Sequence, residues 1–258
     1  MGLGSSTRGL PGGGRALVFA CLAVLTLASW AYLFYQDWAM AHMDVIDMAM
    51  PSTAAWGVAD LTLVFMMWTI MMTGMMLPSA TPMVFAVEQI SRQRGTAPFG
   101  ASMFFTGGYL GVWMAFSVLA TLAQWSLHSA ALMSAGMKAS TPVVAGLLLA
   151  AAGLYQLSTV KLACLTRCRS PLDFLLTEWR DGRWGAFVMG LRHGSFCTGC
   201  CWGLMALLFA LGVMNLAWVA VISVVVLLEK VNPQGVWLAR GTGVLLIGWG
   251  AFVLIGGT

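Results

Sequence analysis

The stretch DLTLVFMMWTIMMTGMMLP, Asp60 to Pro78, decides the fold. The eighteen residues that follow Asp60 carry no charge. At ~1.5 Å per residue they make ~27 Å of helix, against a hydrocarbon layer about 30 Å thick. The apolar residues run continuously rather than in the alternation of a barrel strand. Stretches of the same kind recur at 16–35, 56–77, 99–127, 141–160, 194–213, 214–229 and 236–256. The sixth is short and follows the fifth directly, which reads as a tight hairpin around Met214-Asn215. The expectation is an all-α fold, a polytopic transmembrane helix bundle of about seven spans. Arg8 and Arg15 precede the first run, and Ala39-Met40-Ala41 resembles a signal cleavage site, so six spans would remain after cleavage. A run of about 20 residues is long for a signal core and favours a retained helix. The predicted organisation is a tail at 1–15 and one transmembrane domain at 16–257, with an outside loop at 36–55 and a basic inside loop at 161–193.

Composition agrees. The 258 residues are 60% hydrophobic and 9% charged, with a mean hydropathy of +0.86. Soluble domains are about 45–50% apolar and about 25% charged, so a soluble globular protein and a disordered chain are both excluded as readings. Thirty glycines without a Gly-X-Y period exclude collagen. No internal repeat supports an inverted-repeat transporter.

The net charge of +4 is patterned. With the N-terminus inside, Arg8, Arg15, Arg92, Arg94, Lys161, Arg167, Arg169, Arg180, Arg183, Arg192, Lys230 and Arg240 fall inside, and Lys138 alone falls outside. This asymmetry predicts an orientation, a multi-pass protein with its N-terminus inside. It also accounts for the basic balance without nucleic acid as a partner. The bilayer itself is the first partner, and the basic loop 161–193 suits anionic headgroups.

The same topology places the cysteines. Cys164 and Cys168 lie at the inside end of the fourth span, and Cys197, Cys200 and Cys201 at the inside start of the fifth. A reducing compartment keeps such thiols free. From His193, the residues Cys197, Cys200 and Cys201 lie at about +40°, −20° and +80° around a helix, which is one face. A helix hairpin across the basic loop would bring Cys164 and Cys168 to that face. Thiolate and imidazole suit Cu(I) or Zn(II) far better than Mg or Ca. Lys161, Arg167, Arg169 and Arg192 nearby favour thiolate. The plain alternative is packing, since free cysteine is a small apolar residue.

Along the second span, Met67, Met71 and Met75 fall at about −20°, +20° and +60° from Asp60. One stripe thus carries a carboxylate and three thioethers, a path suited to Cu(I). An acidic residue in a span is a functional hypothesis by default. The alternative is that Met fills a core. Pro78 and Pro82 are expected to kink or end this helix. The outside loop offers Met40, His42, Met43, Asp44, Asp47, Met48 and Met50 as a capture site, or alternatively as an amphipathic interfacial helix. His128 with Met133 or Met137, from the second outside loop, could join it. Glu229-Lys230 reads as a structural acid and base that pairs with the basic loop, and Gly107, Gly108, Gly111, Gly146 and Gly153 read as close helix contacts. No Walker motif, Rossmann glycine motif or nucleophile elbow occurs, so no catalytic residue is assigned.

Several segments together resemble a bacterial family of predicted metal-binding integral membrane proteins. They are Met71-Met72-Thr-Gly-Met75-Met76-Leu-Pro78-Ser-Ala-Thr-Pro82, Gly108-Tyr109-Leu-Gly-Val-Trp113, and Leu154-Tyr155-Gln156-Leu157 through Lys161, Cys164, Cys168 and Arg169-Ser-Pro171. Gly190-Leu-Arg-His193-Gly194-Ser-Phe-Cys197-Thr-Gly-Cys200-Cys201-Trp202, Gly212-Val-Met214-Asn215-Leu-Ala-Trp218 and Glu229-Lys230 complete the set. The resemblance covers roughly 60–240, does not reach the outside loop, and implies an integral membrane protein that binds a metal.

The expected function is to bind a soft transition metal, copper as Cu(I), with zinc as the alternative ion. Outside Met and His residues would meet the ion, the second-span methionines would pass it, and the inside Cys/His cluster would receive it. This serves copper uptake, or delivery to a membrane enzyme or metallochaperone partner. Two other readings stand beside it: a thiol–disulfide or quinone-linked oxidoreductase using Cys197 and Cys200, and a metal-free structural or assembly subunit.

Overall fold

A computed structural model describes residues 13–42, 56–130 and 141–256. Among these residues there are nine helices and no strand. They are α1 (Gly13–Ala41), α2 (Val58–Gln93), α3 (Pro98–Ser129), α4 (Pro142–Leu157), α5 (Thr159–Arg169), α6 (Pro171–Glu178), α7 (Gly182–Leu211), α8 (Leu216–Val231) and α9 (Gly235–Ile255). The all-helical expectation holds. Five helices, α1, α2, α3, α7 and α9, are long and apolar enough to cross a membrane, and α4 with α5 makes a sixth if the bent pair is one span. The expected span at 214–229 is the helix α8 of 16 residues. At ~24 Å it falls short of a ~30 Å hydrocarbon layer. Large apolar side chains cover the exterior, as in Leu27 of α1, Leu154 of α4 and Leu245 of α9.

Three local departures from the sequence reading shape the interior. First, α2 runs through both prolines to Gln93 instead of ending near Pro78. Pro78 has no N–H for the Gly74 carbonyl four residues earlier. The indole Nε1 of Trp30 on α1 donates to that carbonyl at 3.2 Å, so the missing bond is replaced from a neighbouring helix. Second, the expected fourth span breaks at Ser158, where α5 turns 62° away from α4. Ser158 ends one helix and caps the next, its Oγ accepting the Lys161 N–H at 3.2 Å. Third, the basic stretch 161–193 is helical for most of its length, because α5, α6 and the first turns of α7 occupy it. Arg183 and Arg192 interrupt the apolar run there, which hides the helix from a hydropathy reading. The turn between α7 and α8 falls where the hairpin was expected. Gly212 there has φ 105°, a conformation that favours glycine, and the Asn215 side chain caps α8 by accepting the Ala217 and Trp218 N–H groups.

Helix α7 packs along α3, α9 along α4, and α2 lies against α1, α3 and α8. The α3/α7 crossing depends on two glycines. A Cβ on Gly108 would overlap the Phe187 carbonyl, and one on Gly190 would overlap the Phe105 carbonyl. Backbones this close fix Tyr109, next to Gly108, and His193, one turn after Gly190, at the crossing. On the other side of the bundle Gly146 faces the Gly250 carbonyl and Gly153 faces the Gly243 carbonyl. The expected contact at Gly107 is not made, as no heavy atom lies within 4 Å of a Cβ there. Two apolar cores result, one containing most of the α2 methionines with Cys168, Cys197, Cys200 and Cys201, and the other built around Leu77, Phe105 and Phe174.

Candidate metal centre

The break at Ser158 is what assembles the cysteines. By turning away from α4, α5 lays its side chains against α7. Cys168 of α5 thereby joins Cys197, Cys200 and Cys201 of α7 in one buried apolar core. Cys168, Cys197, Cys200 and Cys201 are all buried, and all are free thiols. Cys164, half-buried, packs over Gly199 with its Sγ only 2.9 Å from where a Cβ would stand, so glycine is what admits it. The two cysteine groups meet through a bent helix and not through a hairpin of straight spans. Cys21 stays apart on α1.

At the centre stands Cys197. Its Sγ lies 2.8 Å from the Lys230 ammonium nitrogen of α8 and 3.0 Å from the Tyr109 hydroxyl of α3. Tyr109 also reaches the Met76 carbonyl of α2 at 3.0 Å. Lys230 donates to the Ser79 hydroxyl at 3.0 Å, and Ser79 donates back to the Met76 carbonyl at 2.8 Å. These contacts close a ring that ties α2, α3, α7 and α8 together around one thiol. Lys230 was expected to pair with the basic stretch beside Glu229; the two adjacent residues instead face different surroundings. Glu229 takes the Lys161 ammonium at 2.5 Å and the Gln156 amide at 2.7 Å, and all three side chains are buried. A charge this deep requires such partners.

The cations expected to favour thiolate are mostly engaged elsewhere. Lys161 serves Glu229 and Gln156, Arg169 donates to the Asn232 and Pro233 carbonyls, and Arg192 pairs with Glu178. Arg167 lies over the Phe196 ring. Lys230 holds the position beside the sulfur in their place.

His193 lies one helical turn before Cys197 and is 1% exposed. The rings of Phe105, Tyr109 and Phe174 surround it, with centroids 5.4–5.8 Å away. Its Nδ1 has no hydrogen-bond partner, which is unusual for a buried polar atom. Among the described residues, no three His, Cys, Asp or Glu side chains are arranged to hold a metal ion as they stand. Cys200 and Cys201 turn their Sγ atoms to the Cys197 carbonyl, at 3.1 and 2.9 Å. They are satisfied as protonated thiols, and ligation requires the proton to leave.

The other predicted residues lie away from this centre. Met67, Met71 and Met75 are buried in the same apolar core. Asp60 stands at the start of α2, where its carboxylate accepts the Gly57 N–H at 2.8 Å in the manner of an N-terminal cap. Met76 is 16 residues further along, ~24 Å on the helix axis. His42 ends α1 at the surface, with Nδ1 2.8 Å from the Trp38 carbonyl. Met43 and the rest of the expected capture loop lie outside the described residues. Sequence reasoning missed Met76, Tyr109 and Ser79 as neighbours of the thiols. Met76 could have been found, because it sits next to the chosen stripe and in the quoted motif.

Five soft sulfur donors, the four thiols and the thioether of Met76, thus gather in a buried volume with one cation. That donor chemistry fits Cu(I). No curated protein and no solved structure matches the chain. A family model described as copper chaperone, PpoB2, matches residues 65–253, well over half of the sequence. The description supports copper and gives nothing to the zinc alternative. The chain belongs to the PpoB2 copper chaperone family.

Proposed function

We propose that this protein is an integral membrane copper chaperone that holds Cu(I) on the buried thiols of α5 and α7 and delivers it to a membrane enzyme or metallochaperone. The observation that carries the reading is the gathering of Cys168, Cys197, Cys200 and Cys201 in one apolar core, with the Lys230 ammonium 2.8 Å from the Cys197 sulfur. Thiolate is the ligand form. Two thiolates with Cu(I) leave one negative charge, and Lys230 supplies the compensating positive one. Cys164, half-buried on the same helix, stands where an ion would enter or leave. His193, with an unpartnered ring nitrogen one turn away, is the next ligand along α7. The methionines Met67, Met71 and Met75 offer a thioether route from the opposite end of α2, and His42 with Met43 a capture point before it. The asymmetric charge orients the thiol end towards the cytoplasm of a bacterial inner membrane.

The test is a competitive titration of detergent-purified protein against a Cu(I) chelator, beside the Cys197→Ser/Cys200→Ser/Cys201→Ser variant. The reading expects tight binding in the native chain and its loss in the variant. Equal retention of copper by both would contradict it, and a disulfide that titrates reversibly without metal would favour the oxidoreductase.

A further inference from the structure

We propose that Met76 is itself a copper ligand, completing with Cys197 and Cys201 a three-sulfur site that selects a soft monovalent ion. The inference rests on the copper reading above and adds a residue that the thiol cluster alone does not require. The Met76 Sδ lies 3.9 Å from the Cys201 Sγ, and both side chains are buried. Two sulfurs bound to one ion at roughly 2.3 Å each stand about 4.0 Å apart in a trigonal arrangement. The observed separation is therefore already that of two ligands, and the third, Cys197, stands one turn before Cys201 on α7, its carbonyl accepting the Cys201 thiol at 2.9 Å.

The placement of Met76 is enforced from its backbone. Its carbonyl takes the Tyr109 and Ser79 hydroxyls, and the same phenol oxygen lies 3.0 Å from the Cys197 Sγ. Tyr109 thus holds the methionine of α2 and the cysteine of α7 in one fixed relation. Two residues on, Pro78 interrupts the α2 ladder, and Trp30 secures the carbonyl left behind. Met67, Met71 and Met75 share the core, but among the described residues Met76 is the methionine whose sulfur reaches a thiol.

The chemistry follows from the donor set. A thioether is neutral and soft, so it strengthens binding of Cu(I) or Ag(I) and adds little for Zn(II) or Cd(II). With two thiolates it gives a three-coordinate site for a monovalent ion. Each cysteine that binds releases one proton, and the thioether releases none.

The experiment compares the native protein with Met76→Leu, which keeps an apolar side chain of similar volume. Both are produced with selenomethionine, loaded with Cu(I), and examined by X-ray absorption at the copper edge. A copper–selenium shell in the native chain that vanishes in the variant is the expected result. In the same pair, Ag(I) affinity should fall at least about tenfold, the scale that even outer-shell changes produce at metal sites, while Cd(II) affinity stays level. Copper bound through sulfur alone in the native protein would overturn the assignment of Met76 and leave the thiol reading standing. Failure of the native protein to bind copper would overturn both.

Discussion

Lys230 sets its ammonium nitrogen 2.8 Å from the sulfur of Cys197, and both side chains are buried. A cation in an apolar interior is costly without an opposing charge. A metal–dithiolate centre supplies that charge, and the lysine in turn stabilises the centre. Replacement by a neutral aliphatic residue removes the charge without adding a donor atom. Lys230→Leu is expected to weaken Cu(I) binding by roughly 3 kcal/mol, about a hundredfold, the scale of an unpaired buried charge. Lys230→Arg should recover part of the loss. A chelator titration of the three proteins checks this, and unchanged affinity in Lys230→Leu would show that the lysine is structural only.

The neighbouring residue leads to a different expectation. Glu229 is bound by Lys161 and Gln156 in a buried group that joins α8 to the α4/α5 break. Lys161→Met leaves a carboxylate buried without its cation, which costs about 3–5 kcal/mol. The double variant Lys161→Met/Glu229→Gln removes both charges and should regain much of that stability. Thermal unfolding in detergent measures the difference. A double variant less stable than the single one would contradict the pairing.

The α3/α7 crossing has no room for a side chain at Gly108 or Gly190, because backbone carbonyls occupy the space. Overpacking of a tight interface costs about 1–3 kcal/mol or more. Gly190→Ala should therefore lower the melting temperature and also weaken copper binding, since Tyr109 and His193 flank the crossing. Gly107→Ala, where a Cβ meets open space, is the control and should leave both properties intact.

Trp30 donates to the Gly74 carbonyl that Pro78 leaves without its helical partner. Trp30→Phe should cost about 1 kcal/mol for the lost bond, with packing losses in addition. Pro78→Ala restores an N–H that can reach the same carbonyl. The penalty of Trp30→Phe should then shrink in the Pro78→Ala background, and a double-mutant cycle reads the coupling. Strict additivity would mean that the two do not share the carbonyl.

How much of this was legible in the sequence depends on the physics of each feature. Helices of spanning length announce themselves through long uncharged runs, so α1, α2, α3 and α9 were placed to within a few residues at most of their ends. Helix α7 was entered late, because Arg183 and Arg192 break the apolar run although the backbone there is already helical. The shared face of His193, Cys197, Cys200 and Cys201 followed from helical spacing alone. The meeting of Cys168 with that face did not, because it depends on the 62° turn at Ser158, a hinge with no glycine or proline to mark it. Lys230 was likewise invisible as a partner of Cys197, since the two are 33 residues apart and on different helices. Helical spacing from Asp60 chose Met67, Met71 and Met75, whereas contact with the thiols falls to Met76. On this helix the outward side chains are apolar as well, as at Leu63 and Met66, so hydrophobicity does not distinguish one stripe from the next.

The central claim is that the thiols of α5 and α7 hold copper, and its most direct test is the metal content of the protein itself. Protein purified in mild detergent under reducing conditions, exposed to Cu(I) and freed of excess, is analysed by plasma mass spectrometry beside the Cys197→Ser/Cys200→Ser/Cys201→Ser variant. The account predicts copper bound in stoichiometric amount by the native chain and none above background in the variant. Copper absent from both, or present equally in both, would contradict it.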